Sequence, residues 1–301
     1  MAGGYKNISS NNIKSYGINE FIGKEYFELP EDFNRLNNEE KDNYWEKYIN
    51  TVFLEKLKLS YKEYINSPRS TDRIKEIHSF IAEAIQFKLG NDFIIKANGF
   101  NLAKDDSGNE VNVEGKYYNK NVDIAVIKNG YVLGSVGVKL IGNNFNQNAN
   151  NYFENMLGET ANLRANNQSY SQLIVIPESM PYYNQNKVCK EMQHIKEHHI
   201  SKYFKLSKEQ KGVYHKPDLL SLVMIKSGDK DYYEYLEKSI QEKKPVENKY
   251  LLEKININYS DIDNLEHIKD IDTKSFLKKH MNLNNFLNAF AHLVLANSYA
   301  K

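Results

Sequence analysis

The stretch "NVDIAVIKNGYVLGSVGVKLI", from Asn121 to Ile141, decides the fold. Two apolar runs rich in Val and Ile flank an Asn129-Gly130 pair. Asn-Gly between such runs is the strongest short-range hairpin signal, because both turn positions need positive φ. The runs are therefore expected as neighbouring antiparallel strands. Side chains alternate faces with period two. Asp123 then shares a face with Ala125 and Ile127, and Lys139 with Gly137, Ser135 and Leu133. Asp123 opens the first strand and Lys139 lies near the end of the second, so the hairpin sets them side by side at one sheet edge. A lysine in so apolar a strand is expected to be buried, where an unpaired charge is costly. A structural Asp–Lys ion pair accounts for these two residues, as does a lysine that snorkels to solvent.

Outward from the hairpin the periodicity changes. "NEEKDNYWEKYINTVFLEKLKLSYKEYINS" places Tyr44, Tyr48, Val52, Phe53 and Leu57 at helical spacing, and reads as one or two amphipathic helices. "SPRSTDRIKEIHSFIAEAIQFKLG" has Ser/Thr cap candidates, a stripe of Ile74, Ile77, Ile81 and Ile85, and a stop at Gly90. "DFIIKANGF" and "EVNVEGKYY" read as short strands about the turn "DDSGNE". After the hairpin, "NQNANNYFENMLGETANLRANN" predicts a helix. "QLIVIPES" and "DLLSLVMIKSG" predict strands buried on both faces. "NKVCKEMQHIKEHHISKYF" between them predicts a helix carrying Cys189. The remainder from about Tyr232 reads as mostly helical, ending in the amphipathic "SFLKKHMNLNNFLNAFAHLVLANSYAK". "EKKPVENKYLLEKININYSDIDNLEHIKDIDTK" reads as a linker or a subdomain surface. The expected class is α/β (α+β): a central mixed β-sheet flanked by helices, with helical N- and C-terminal additions. The expected divisions are a helical region over 1–70, a core over 71–230, and a helical region over 231–301 packed on that core.

The chain of 301 residues suffices for one large domain with additions, and 41% hydrophobic residues support a real core. A formal net charge of +1 announces no polyanion partner, yet does not exclude a local basic cleft. One cysteine excludes an intrachain disulfide framework and fits a reducing compartment. The first residues lack an apolar signal segment, and no run is long enough to span a membrane, so a cytoplasmic protein is expected.

The order of elements, with Asp123 and Lys139 placed as above, resembles the PD-(D/E)XK nuclease superfamily, and within it the type II restriction endonucleases. The resemblance covers about Ile74 to Ile225. It implies a restriction-endonuclease-like core, an Asp on one strand and an acid-x-Lys tripeptide on the next. Asp123 matches the first position and Gly137-Val138-Lys139 the tripeptide. There are two departures: Val122 stands where the family often has Pro, and Gly137 stands where it has the acid. Some members carry that acid on the following helix. Here the helix offers Glu154, favoured by spacing, and Glu159, slightly preferred because it borders the apolar stripe of Phe145, Ala149, Tyr152, Met156 and Leu163. Glycine at 137 leaves room on the strand for such a side chain, or marks close packing. Glu83, on the helix before the sheet, is a possible accessory acid.

What the resemblance implies chemically is Mg²⁺-dependent hydrolysis of double-stranded DNA. Asp123 with Glu159 or Glu154 would hold the metal, and Lys139 would position the attacking water or stabilise the transition state. A palindromic site further implies a homodimer. Asn144, Asn146, Gln147 and Asn148 are candidate DNA contacts, since Asn and Gln read adenine edges; Asn is also an ordinary helix cap. Glu114-x-Lys116, with Asp105 or Asp106 upstream, matches the motif as a string but is followed by a strand. Pro217-Asp218 more simply opens the last core strand. His194 and His198 have ligand spacing without a supporting zinc context. Another nuclease of the same fold, for repair or junction resolution, is one alternative. A non-catalytic nucleic-acid-binding module, in which Asp123 and Lys139 form only an ion pair, is the other.

Overall fold

The computed structural model describes residues 35–67, 70, 72–100, 110–186 and 188–300. Asp105 and Asp106 lie outside the described residues. The N-terminal run is one long helix, α1 (Asn38–Asn66), opened by a reciprocal capping box. The Asn37 Oδ1 accepts from Glu40 N–H at 3.0 Å, and Glu40 Oε2 accepts from Asn37 N–H at 2.9 Å. Next comes α2 (Asp72–Leu89), after which Gly90 takes φ 79°, the left-handed stop glycine allows.

Six strands form the central sheet. They are β1 (Ile94–Ala97), β4 (Ile124–Lys128), β5 (Tyr131–Leu140), β6 (Tyr170–Pro177), β9 (Leu220–Gly228) and β10 (Ile255–Tyr259), in that spatial order. β1, β4 and β5 are antiparallel; β6 and β9 join parallel to β5; β10 closes the edge antiparallel to β9. The sheet is thus mixed. The Asn129-Gly130 turn has φ of 52° and 81°, the two positive values the hairpin reading requires. The parallel step from β5 to β6 needs a crossover, and α3 (Phe145–Arg164) supplies it. Between β1 and β4 lies a small separate pair, β2 (Val111–Val113) with β3 (Lys120–Val122).

Strand alternation divides the helices between two faces. Ile124, Val126, Val136, Val138, Leu173, Val175, Val223 and Ile225 pack with α1, α2 and α8 (Leu283–Ala300). Ile174, Ile176, Leu222 and Met224 face α3, α4 (Glu197–Lys208) and α7 (Ile271–Met281). The first of these cores draws on Trp45 at one end of the chain and Val294 at the other, so the N- and C-terminal additions share it. Two further helices, α5 (Lys230–Glu242) and α6 (Asn248–Lys254), pack around a smaller cluster with Cys189. No helix among the described residues is long and apolar enough to cross a membrane.

Three sequence expectations are corrected. The run Asn186–Phe204 is not one helix: β7 (Ser179–Tyr183) and β8 (Cys189–His194) form a hairpin, and only α4 is helical. The cause is local. Asn184 Oδ1 accepts from both Asn186 N–H and Val188 N–H, at 2.9 and 3.0 Å, fixing a turn that a helix would break. Cys189 is therefore a buried strand residue. The C-terminal region is also not purely helical, because the charged segment read as a linker or subdomain surface contains β10, a strand of the main sheet. Finally, the first strand of the hairpin is broken at Asp123 into β3 and β4.

A polar clamp holds α2 to α8. The buried Lys88 ammonium donates to Asn284 Oδ1 at 3.0 Å and Asn288 Oδ1 at 2.6 Å. Burial pulls its pKa from 10.5 down to about 8, against the opposing pull of Asp42. Between those values the unfolded chain holds more protons than the folded one. The contribution of Lys88 to stability therefore rises as pH climbs from 8 to 10.5, by about 3 kcal/mol in all. Urea unfolding of wild type and Lys88→Met across this range checks it: the stability difference, wild type minus variant, should shift in favour of wild type by that amount.

Candidate functional site

Ser135 pairs with both Ala125 and Tyr170, and Gly137 with Gln172. Laterally paired residues share a face, so Asp123, Gly137, Lys139, Tyr170 and Gln172 line the face covered by α3. The Asp123 carboxylate accepts from Val138 N–H at 2.6 Å. Burial is the largest influence on its acidity and raises its pKa to about 6; the Val138 N–H bond opposes this, Glu159 adds to it, and Lys120 and Lys139 oppose it.

Of the two helix acids, α3 brings Glu159 to this point. The Glu159 carboxylate that repels Asp123 is itself paired with Lys120 Nζ at 2.6 Å. That half-exposed pair contributes little to stability, as exposed ion pairs generally do. The Lys120 ammonium feels a burial penalty, outweighed by its bond to Glu159 and by the charges of Glu159 and Asp123, so its pKa rises. Glu154 lies on an exposed part of α3, and its charge acts on Lys202 of α4. Glu83 is half-buried on α2, the helix of the opposite face.

Lys139 is exposed, contrary to the expectation of a buried lysine. No direct ion pair joins it to Asp123. Its Nζ instead stands 4.9 Å from the centre of the Tyr152 ring, where the π face and solvent share its charge. The coupling to Asp123 survives as a longer-range pull on that carboxylate.

The room beside Gly137 is not filled by a glutamate. A Cβ built there would lie 2.0 Å from the Tyr170 hydroxyl and 2.9 Å from Gln172 Oε1. Tyr170 Oη lies 3.0 Å from Gln172 Oε1 and 3.5 Å from Glu159 Oε2, two acceptors for its single proton. Gln172 Nε2 donates in turn to Gly137 O at 3.0 Å. Burial above all, and then Glu159 and Asp123, raises the Tyr170 pKa far above the phenolic norm, so it remains a neutral donor. The glutamate from α3 stands one hydroxyl behind the place the motif's acid would occupy.

Sequence reasoning missed Lys120, Tyr170 and Gln172. Lys120 lies three residues before Asp123 and faces it only because the strand breaks between them. Gln172 opens the predicted buried strand and Tyr170 lies just before it; nothing local marked their face. The asparagine-rich joint is engaged in part within the chain, with Asn146 and Gln147 exposed. Asn144 Oδ1 accepts from Tyr183 N–H at 3.4 Å, and Asn148 Nδ2 donates to Asn144 O at 3.1 Å. Asn146 N–H and Gln147 Oε1 both meet Gln193 of β8. Asp218 precedes β9 and bonds Arg164, Ser169 and the Tyr170 N–H, a structural clamp. Glu114 lies in the loop after β2. His194 lies with its ring tilted 4.7 Å from that of His267, whereas the His198 ring is tilted against its neighbour His199 at 4.0 Å.

Among the described residues no three His, Cys, Asp or Glu side chains converge as metal ligands. The two acids do fit a hard cation that takes few protein ligands and keeps its water, as Mg²⁺ does. Asp123 is a buried carboxylate whose charge is penalised chiefly by desolvation, and Glu159, close enough to repel it, adds the second oxygen donor. Comparison with protein-family models, curated proteins and solved structures finds no match.

Because Asp123 titrates near 6 when folded and near 3.8 when unfolded, the folded chain holds more protons between those values. Stability should fall as pH rises through that window. Asp123→Asn, which keeps the acceptor for Val138, is expected to be more stable than wild type at pH 7 by about 1–2 kcal/mol after solvent screening. The gap should close below pH 4, as urea unfolding at the two pH values will show.

Proposed function

We propose that this chain is a Mg²⁺-dependent endonuclease that hydrolyses phosphodiester bonds in double-stranded DNA, in the manner of a type II restriction enzyme. The observation that carries the reading is the buried Asp123 carboxylate within electrostatic reach of Glu159, with Lys139 on the same sheet face. The succession supports it: a helix, three antiparallel strands, a crossover helix and a parallel strand, here α2, β1, β4, β5, α3 and β6. That is the order the PD-(D/E)XK resemblance implies, with Asp123 opening the second strand and Lys139 on the third.

Water adds to phosphorus, one P–O ester bond breaks, and the departing oxygen takes up a proton. A metal ion held by Asp123 and Glu159 would acidify the attacking water and offset charge on the phosphoryl oxygens. Lys139, exposed and cationic beside these acids, orients the water or balances the transition-state charge. Lys120 holds the Glu159 carboxylate in place. Tyr170 contributes a proton donor beside Glu159 that stays neutral. A homodimer and a cytoplasmic location belong to the same proposal.

The Lys120–Glu159 ion pair and the tyrosine in place of the motif's acid favour a second reading, a binding module without catalysis. Plasmid digestion separates the two. With Mg²⁺, wild type is expected to cut. Asp123→Asn, Glu159→Gln and Lys139→Ala should each lose about 100-fold or more. Glu154→Gln should retain activity. Discrete fragments indicate a site-specific enzyme; smears or junction-restricted cuts indicate another nuclease of this fold. Absence of cleavage with both Mg²⁺ and Mn²⁺ leaves the binding module.

A further inference from the structure

The loop between β2 and β3 reads Lys116-Tyr117-Tyr118-Asn119-Lys120, two tyrosines bracketed by two lysines. Tyr117 is 82% exposed and Tyr118 52%. Exposed aromatic rings are ordinary in a loose loop, but this loop is fastened down. Asn162 of α3, only 2% exposed, spends its whole amide on it. Its Oδ1 accepts from Tyr117 N–H at 2.9 Å and Tyr118 N–H at 3.3 Å, and its Nδ2 donates to Tyr118 O at 2.8 Å. Lys116 N–H adds a bond to Asn162 O at 2.8 Å. Gly115 makes the contact possible, since a Cβ there would lie 2.1 Å from Asn162 Nδ2.

Asn162 lies one helical turn after Glu159, and Lys120 at the end of the loop grips Glu159. The loop and the acid are thus mounted on one stretch of α3. The Tyr118 hydroxyl is near enough to Tyr170 and Lys120 to influence the acidity of both. A buried amide therefore holds two rings in solvent beside the acid pair, with cations on either side. Basic and aromatic side chains interleaved in this way suit a nucleic-acid strand, a phosphate on Lys116 and base faces on the rings, while Lys120 stays on Glu159.

Resting on the DNA-cleaving reading, we infer that Tyr117 and Tyr118 form a base-stacking element, and that the site takes DNA in which a base next to the scissile phosphate has left the stack. Inside an intact duplex the base faces are covered by their neighbours, so a tyrosine ring reaches a face only once a base is unpaired or turned out.

Fluorescence anisotropy in EDTA, where no cleavage occurs, tests this with two labelled duplexes. One is fully paired, and the other carries a bulged 2-aminopurine. Wild type is expected to bind the bulged duplex more tightly and to quench the 2-aminopurine. Tyr117→Ala and Tyr118→Ala should each weaken binding of the bulged duplex by about 5- to 150-fold and lose the quench. Tyr117→Trp should keep both. Equal binding of the two duplexes by wild type, or alanine variants that keep the preference, overturns the inference and leaves the nuclease reading standing. A wild type that binds neither duplex overturns the inference, and the plasmid digest with Mg²⁺ decides the nuclease reading separately.

Discussion

A single hydrogen bond, from the Val138 N–H to the Asp123 carboxylate, organises this half of the molecule. The register of β4 on β5, continued by two residues, would set Val122 opposite Val138 and let the ladder run on. The side chain of Asp123 takes that N–H instead, and the backbone is released. β3 then leaves the main sheet to pair with β2, carrying Lys120 and the tyrosine loop over α3. One carboxylate thus ends a strand, opens a site and sends the chain toward the helix that completes it. The cost is a desolvated charge, and natural sites commonly carry such costs for the sake of their chemistry.

The opposite face of the sheet makes this affordable. Aliphatic residues of all six strands meet α1, α2 and α8 there in a continuous core. The site face is mixed: apolar under α4 and α7, polar where Asp123, Gln172 and the end of α3 meet. The helix that crosses from β5 to β6 is the joint between the two. Its Phe145 and Met156 are core, its Glu159 reaches the acid, and its Asn162 holds the loop.

How much of this was legible in the sequence follows from the range of the forces involved. The hairpin was plain, because Asn129-Gly130 dictates its own φ; its register was not, since a bulge between Val126 and Ile127 shifts the pairing by one residue and sets Asp123 level with Gly137. The crossover helix and the two buried strands were plain too, from periodicity and from continuous apolar runs. Glu159 was favoured over Glu154 on helical face, and that face turned out to look at Asp123. Legibility failed where particular side-chain contacts, near or distant, outweighed the local pattern. Cys189–His194 is a strand because a turn at Asn184 delivers it to β7, a contest that helix propensity does not reveal. Lys139 reads as buried in its strand, but its long stem carries the charge to the rim of Tyr152. The hydroxyl of Tyr170 comes to Gly137 from a parallel neighbour beyond the crossover, and no local pattern points to it.

That last contact has an evolutionary side. Positions 137 and 170 compete for one volume: a side chain on the strand or a ring from the next strand, but not both. A lineage moving between this arrangement and one with an acid on the strand cannot change the two singly without passing through a clash or a hole. The pair should therefore drift together, bulky at one position only when bare at the other. On the proposed reading, the glutamate on the crossover helix is the acid that either arrangement could keep.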